Sequence, residues 1–169
     1  VISIIGYTNA GKSTLLNTLT KSKVLAENRL FATLDPSSRR MRLPKDSEVI
    51  ITDTVGFIKD LPKELKVAFR ATLEELESAD LLLHVIDCSN PDYASQINSV
   101  NQIIEELKIH QIRMINVLNK KDLVNADTLE GIVIETGGIP ISAKKASTLA
   151  PLIDKMQAIV LAPKPYVSH

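Results

Sequence analysis

Short apolar runs alternate along this chain with segments in which apolar residues recur every three or four positions. Val1-Ile2-Ser3-Ile4-Ile5, Val49–Thr52, Leu81–Ile86, Met114–Leu118 and Ile139–Ser142 read as strands, and several are apolar on both faces. That pattern predicts strands covered on either side by helices. The helical stripes are Leu15, Leu16 and Leu19; Leu65, Phe69, Leu73 and Leu76; Tyr93, Ile97, Val100, Ile104 and Leu107; and Leu149, Leu152, Ile153, Met156 and Val160. Arg40–Leu43 returns through Pro44-Lys45-Asp46-Ser47 into Val49–Thr52, a link too short for a crossover helix, so this pair is expected to be antiparallel. The alternation predicts an α/β fold with a mixed, mostly parallel sheet of six strands and about five helices. Ala26–Arg42 is the longest stretch with neither period, and long irregular loops in compact domains are often functional.

Composition narrows the possibilities. Twenty Lys and Arg balance twenty Asp and Glu among 169 residues, which excludes a strongly basic nucleic-acid module or an acidic tail. One cysteine, Cys88, excludes an internal disulfide and a multi-cysteine zinc site. The longest apolar run is five residues, Ala158–Ala162, too short to span a bilayer, and no signal peptide is expected. A cytoplasmic domain over residues 1–162 is expected, with 163–169 as a tail or linker. The abrupt start at a strand suggests a piece of something longer.

The candidate chemistry lies where strands end. Gly6-Tyr7-Thr8-Asn9-Ala10-Gly11-Lys12-Ser13 fits G-x-x-x-x-G-K-[ST] between a strand and an amphipathic helix opened by Leu15, Leu16 and Leu19, and Thr14 is counted with the loop as nucleotide-binding. In such a loop successive backbone N–H groups and the helix N-terminus face phosphate oxygens. Lys12 would reach the β- and γ-phosphates, and the Ser13 hydroxyl would hold Mg²⁺. Asp53-Thr54-Val55-Gly56 follows the Val49–Thr52 strand. There Asp53 would reach the metal through a water, and the Gly56 N–H would sense the γ-phosphate. Asn119-Lys120-Lys121-Asp122 follows the next strand but one. A carboxylate at Asp122 can accept from guanine N1–H and its 2-amino group, whereas adenine offers no donor at either place. Asn119 would tie this loop to the phosphate loop, the Lys120 stem would cover the base, and Ser142-Ala143-Lys144 could supply an N–H to guanine O6.

These four motifs resemble those of the translation-factor-related P-loop GTPases. More narrowly, Phe31-Ala32-Thr33-Leu34-Asp35-Pro36, Asp53-Thr54-Val55-Gly56-Phe57-Ile58 and Ala68-Phe69-Arg70-Ala71-Thr72-Leu73-Glu74-Glu75 resemble the HflX family, a sister of the Obg group. The resemblance implies a GTP-hydrolysing G domain, Mg²⁺, and a large-ribosomal-subunit partner in splitting or rescue; the family's N-terminal domain is expected to be absent from this chain. It assigns Thr33 as the switch threonine closing on Mg²⁺ and γ-phosphate, with Ser37 and Ser38 as nearby rivals, and Asp53–Leu61 as the second switch. Potassium-activated relatives use an asparagine where Asn9 stands; Asn9 is equally readable as a turn residue. Phe57 stands where many GTPases carry a glutamine that orients water, so slow intrinsic hydrolysis is expected; a partner can restore about 10³–10⁵ in rate. A guanine-nucleotide sensor with negligible turnover, an Obg-like assembly factor and an ATPase are the rival readings. Arg39, Arg40 and Arg42 read as a solvated strand edge or as RNA contacts, His84 as a packed, hydrogen-bonded core residue, and Cys88 as a structural thiol.

Overall fold

The computed structural model describes residues 1–7, 10–20, 38–45, 48–53, 75–106 and 111–161. Its strands are β1 (Ile2–Gly6), β2 (Ser38–Arg42), β3 (Glu48–Asp53), β4 (Leu81–Asp87), β5 (Arg113–Asn119) and β6 (Ile139–Pro140), in the spatial order β2-β3-β1-β4-β5-β6. Only β2 with β3 is antiparallel; β3, β1, β4, β5 and β6 all run the same way. The helices among the described residues are α1 (Lys12–Thr20), α2 (Tyr93–Glu106), α3 (Ala126–Thr136) and α4 (Ala150–Leu161). The expected six-stranded mixed sheet is present. The stripe through Leu65, Phe69 and Leu73 lies outside the described residues.

Alternation along the central strands decides which helix covers which face. Ile2 and Ile4 of β1, Leu81, Leu83 and Val85 of β4, and Ile115 and Val117 of β5 pack with α1 and α4 through Leu15, Leu16, Leu19, Leu152 and Met156. The intervening residues Ile5 and Leu82 meet α2 at Val100 and Ile104, while Ile86 and Leu118 meet α3 at Ile132. Both faces are therefore buried, and β1 and β4 are apolar almost throughout, as a sandwiched parallel sheet requires. β3 alternates exposed and buried residues before Asp53, as suits its place next to the edge strand.

Two elements differ from the sequence reading. The strand expected over Ile139–Ser142 is formed only at Ile139–Pro140; Ile141 still donates to the Leu118 carbonyl at 2.8 Å, and the Ser142 N–H turns to Thr148 Oγ1 within a loop. Helix α3 has no broad apolar stripe, since only Ile132 is buried and Ile134 is exposed. Its ends mark it instead. The Asn125 side chain accepts the Thr128 N–H at 2.8 Å, and Gly137 closes the helix at φ 68° with its N–H on Val133 O.

His84 is a core residue as expected, 1% exposed and directly opposite Asn116 on β5, but its Nδ1 has no hydrogen-bond partner among the described residues. Burial pushes its pKa down to about 4, against 6.5 for a free imidazole. Between those values the unfolded chain binds a proton that the native chain does not. Stability is thus complete above pH 6.5 and falls as the pH drops towards 4. We expect this group to contribute about 2 kcal/mol to the stability lost between pH 7 and pH 5. Urea unfolding at the two pH values should show a distinctly flatter pH dependence for His84→Leu; equal slopes would contradict the assignment.

Candidate functional site

Because five strands are parallel, their carboxyl ends share one edge of the sheet, where ligands of α/β proteins bind beside a topological switch point. Gly6, Asp53, Asp87 and Asn119 end β1, β3, β4 and β5 there. The phosphate loop begins at Gly6, whose φ is 149° and whose missing Cβ would lie 2.5 Å from Val85 O on the neighbouring strand. Gly11 has φ 97°, and a Cβ there would collide with the Asn119 amide nitrogen. Both glycines are thus required by packing as well as by backbone conformation. Between them Ala10 N–H closes a turn on Tyr7 O at 3.1 Å, while the half-buried Tyr7 packs against the Ile5, Leu76, Leu82 cluster. Thr8 and Asn9 lie outside the described residues.

Lys12 and Ser13 open α1 facing Asp53. The Lys12 ammonium is 3.9 Å from Asp53 Oδ1, and the Ser13 hydroxyl donates to Asp53 Oδ2 at 3.1 Å. Lys12 is only 6% exposed, so burial pushes its pKa below the ordinary lysine value, and the Asp53 carboxylate offsets only part of that. A buried ammonium with one carboxylate at 3.9 Å is incompletely compensated, and an anionic ligand would complete its environment. Ser13 and Asp53 together offer hard oxygen donors of the kind magnesium prefers.

Asn119 joins this half of the site to the other. Its Nδ2 donates to Ala10 O at 2.8 Å, and its Oδ1 accepts the Ala143 N–H at 2.8 Å, both buried. Ala143 is also held from α1, where the Thr18 hydroxyl is shared between Thr14 O and Ala143 O, 2.6 Å from the latter. The Ser142 N–H donates to Thr148 Oγ1 at 3.0 Å. Two of the three N–H groups expected near a base O6 are therefore engaged within the protein, that of Ser142 with Thr148 and that of Ala143 with Asn119. Lys120 is the one described non-glycine residue at positive φ, 66°, and its Nζ lies 3.1 Å from Asp87 Oδ2. Asp122 is exposed on the short turn Lys121–Leu123. Cys88 is buried with its Sγ on Asn119 O at 3.0 Å, and burial pushes its thiol pKa up to about 11, the inert state expected of it.

The structure thus brings together Gly6, Tyr7, Ala10, Gly11, Lys12, Ser13, Thr14, Asp53, Asn119, Lys120, Asp122, Ser142, Ala143 and Lys144 along one edge. Thr33, Thr54, Val55 and Gly56 lie outside the described residues, as do Ser37 and Phe57. Sequence reasoning missed Thr18, Thr148 and Asp87. Asp87 could have been found, since it ends β4 as Asp53 ends β3.

A family model described as "50S ribosome-binding GTPase" matches residues 1–120. The chain belongs to this family. Among curated relatives of this GTPase domain, the protein named GTPase HflX from Magnetococcus marinus is 45% identical over 160 residues, covering 94% of this chain and 37% of that protein. GTPase HflX of Lacrimispora saccharolytica is 46% identical over 167 residues, 99% of this chain and 40% of that one. The chain therefore spans less than half the length of these relatives. Among solved structures, a GTP-binding protein from Sulfolobus solfataricus in complex with GDP superposes with TM-score 0.75 at 29% identity, covering 94% of this chain and 51% of that chain. The HflX resemblance read from the switch-region motifs agrees with these matches.

Replacing Asn119 by alanine would strand the Ala10 carbonyl and the Ala143 N–H in a buried site. Each orphaned group costs about 1–3 kcal/mol, so we expect Asn119→Ala to lose about 2–5 kcal/mol in urea unfolding, well beyond a surface substitution. A loss below about 1 kcal/mol would mean that the bridge does not hold the site.

Proposed function

We propose that this chain binds GTP and GDP, hydrolyses GTP with Mg²⁺, and serves as the switch domain of a protein acting on the large ribosomal subunit in the cytoplasm. The observation that carries this reading is the Asn119 bridge, which couples a phosphate loop to two candidate base-reading loops through one buried side chain. The names of the relatives, and the GDP bound by the Sulfolobus solfataricus protein, support it. Lys12 is assigned to the β- and γ-phosphates, the N–H groups from Gly6 to Thr14 to the phosphate chain, and Asp122 to the guanine edge. Lys120 covers the base plane, and Ser142–Lys144 flank it. Ser13, Asp53 and Thr33 would hold Mg²⁺, which when bound neutralises charge on the phosphate oxygens. Thr54, Val55 and Gly56 would sense the γ-phosphate, and a potassium ion at Asn9 would add to the neutralisation. Loss of phosphate would release the loops carrying Thr33 and Gly56.

Phe57 favours a second reading, a nucleotide sensor that barely turns over alone, because its ring cannot hydrogen-bond to an attacking water. Competition against a fluorescent GDP tests the base assignment. GTP should displace the probe about a hundredfold better than ATP, because adenine leaves the Asp122 carboxylate unpaired. Asp122→Asn should move the preference to xanthine nucleotides, and Lys12→Ala should abolish turnover. Equal displacement by ATP would overturn the guanine assignment. Turnover of the intact parent protein should rise about tenfold or more with purified large subunits if the partner supplies the missing group. A rate that the subunits leave unchanged would remove the ribosome from the proposal.

A further inference from the structure

Asp87 ends β4 at the ligand edge, directly opposite Asn119 in the β4–β5 ladder, and the motifs assign it no role. It is largely buried, and its two carboxylate oxygens are used differently. Oδ2 lies 3.1 Å from Lys120 Nζ. Oδ1 accepts both the Ser89 N–H at 3.0 Å and the Ser89 hydroxyl at 2.5 Å, so the acceptor is itself fixed by the turn that follows the strand. Lys120 is constrained from its backbone as well. It sits in the left-handed region at φ 66°, ψ 36°, and the next residue's N–H donates to Ile141 O at 3.0 Å.

We propose that Asp87 is a positioning residue that sets the Lys120 side chain over the base plane before nucleotide arrives, and so lengthens nucleotide residence. This rests on the guanine-nucleotide reading above. A free lysine side chain has large rotamer freedom, and ordering it on binding costs affinity. A lysine already held at its ammonium by a fixed carboxylate, with the N–H of the next residue fixed on Ile141 O, has lost most of that freedom beforehand. With its ammonium on the carboxylate, the side chain presents its methylene stem rather than its head to the ring. Asp87 therefore acts through Lys120, not on the phosphates, and its loss should weaken binding without touching the phosphate chemistry.

The test is a double-substitution cycle on the 169-residue chain, with a fluorescent GDP as probe and dissociation followed by chase with unlabelled GDP. Asp87→Asn should speed release about tenfold, with Asp87→Glu restoring part of it, and Lys120→Ala should speed release at least as much. The double variant should release no faster than Lys120→Ala alone, since Asp87 has then nothing to position. GTP turnover at saturation should be unchanged for Asp87→Asn while KM rises. Should Asp87→Asn not fold, Ser89→Ala, which loosens the carboxylate while leaving the pair, should speed release about threefold. Multiplicative losses in the double variant, an unchanged release rate for the folded single variant, or an unchanged rate for Ser89→Ala where it must stand in would overturn the proposal. Absence of probe binding by the unsubstituted chain would overturn the guanine-nucleotide reading itself, and the positioning role with it.

Discussion

Two buried hydrogen bonds from the Asn119 side chain, one to Ala10 O and one from Ala143 N–H, fix the distance between loops that are more than a hundred residues apart in sequence. Everything else at the ligand edge is arranged around them. Gly11 lacks a Cβ because the Asn119 amide occupies that space, and the same loop end feeds Lys12 and Ser13 into α1. On the far side, Ala143 is gripped from α1 by Thr18 as well as by Asn119. The loop ending at Gly11 and the Ser142–Lys144 loop are therefore joined through one buried side chain rather than merely placed near each other. Such an arrangement prepays the ordering that a nucleotide would otherwise have to bring about on binding.

The sheet supplies the frame for that assembly. A parallel sheet buried on both faces leaves its polar chemistry to the strand ends, and four of its strands end in Gly6, Asp53, Asp87 and Asn119. Two ion pairs at this edge cross between elements: Lys12 with Asp53, and Lys120 with Asp87. The two pairs differ in exposure. Lys12 is almost fully enclosed and undercompensated, which suits a polyanion, whereas Lys120 is about a third exposed and already has a carboxylate at salt-bridge distance.

Much of this was legible from the sequence because strong periodic signals and short motifs coincide. The runs through Ile4, Leu83 and Val117 announced buried strands, and the glycines at 6 and 11 announced a phosphate loop whose context matched. What escaped the reading had weak local signals. Helix α3 is defined by Asn125 and Gly137 at its ends more than by its narrow apolar face, and β6 is only two residues long. Thr18 acts through a tertiary contact that no local pattern encodes, reaching Ala143 across 125 residues. The Ser142–Ala143–Lys144 loop shows the limit from the other side. Its position was anticipated, but not that two of its N–H groups are already spoken for inside the protein.

The central claim, that the two halves of the site are locked together before any nucleotide binds, is tested most directly by hydrogen exchange at the Ala143 amide in the nucleotide-free chain. With a buried N–H held by Asn119, we predict exchange slowed to the rates of the central strands, and slowed in the same degree when GDP is absent or present. Exchange as fast as that of an exposed loop amide in the free chain, with protection gained only on adding GDP, would contradict it. The bridge would then be a product of binding rather than its scaffold.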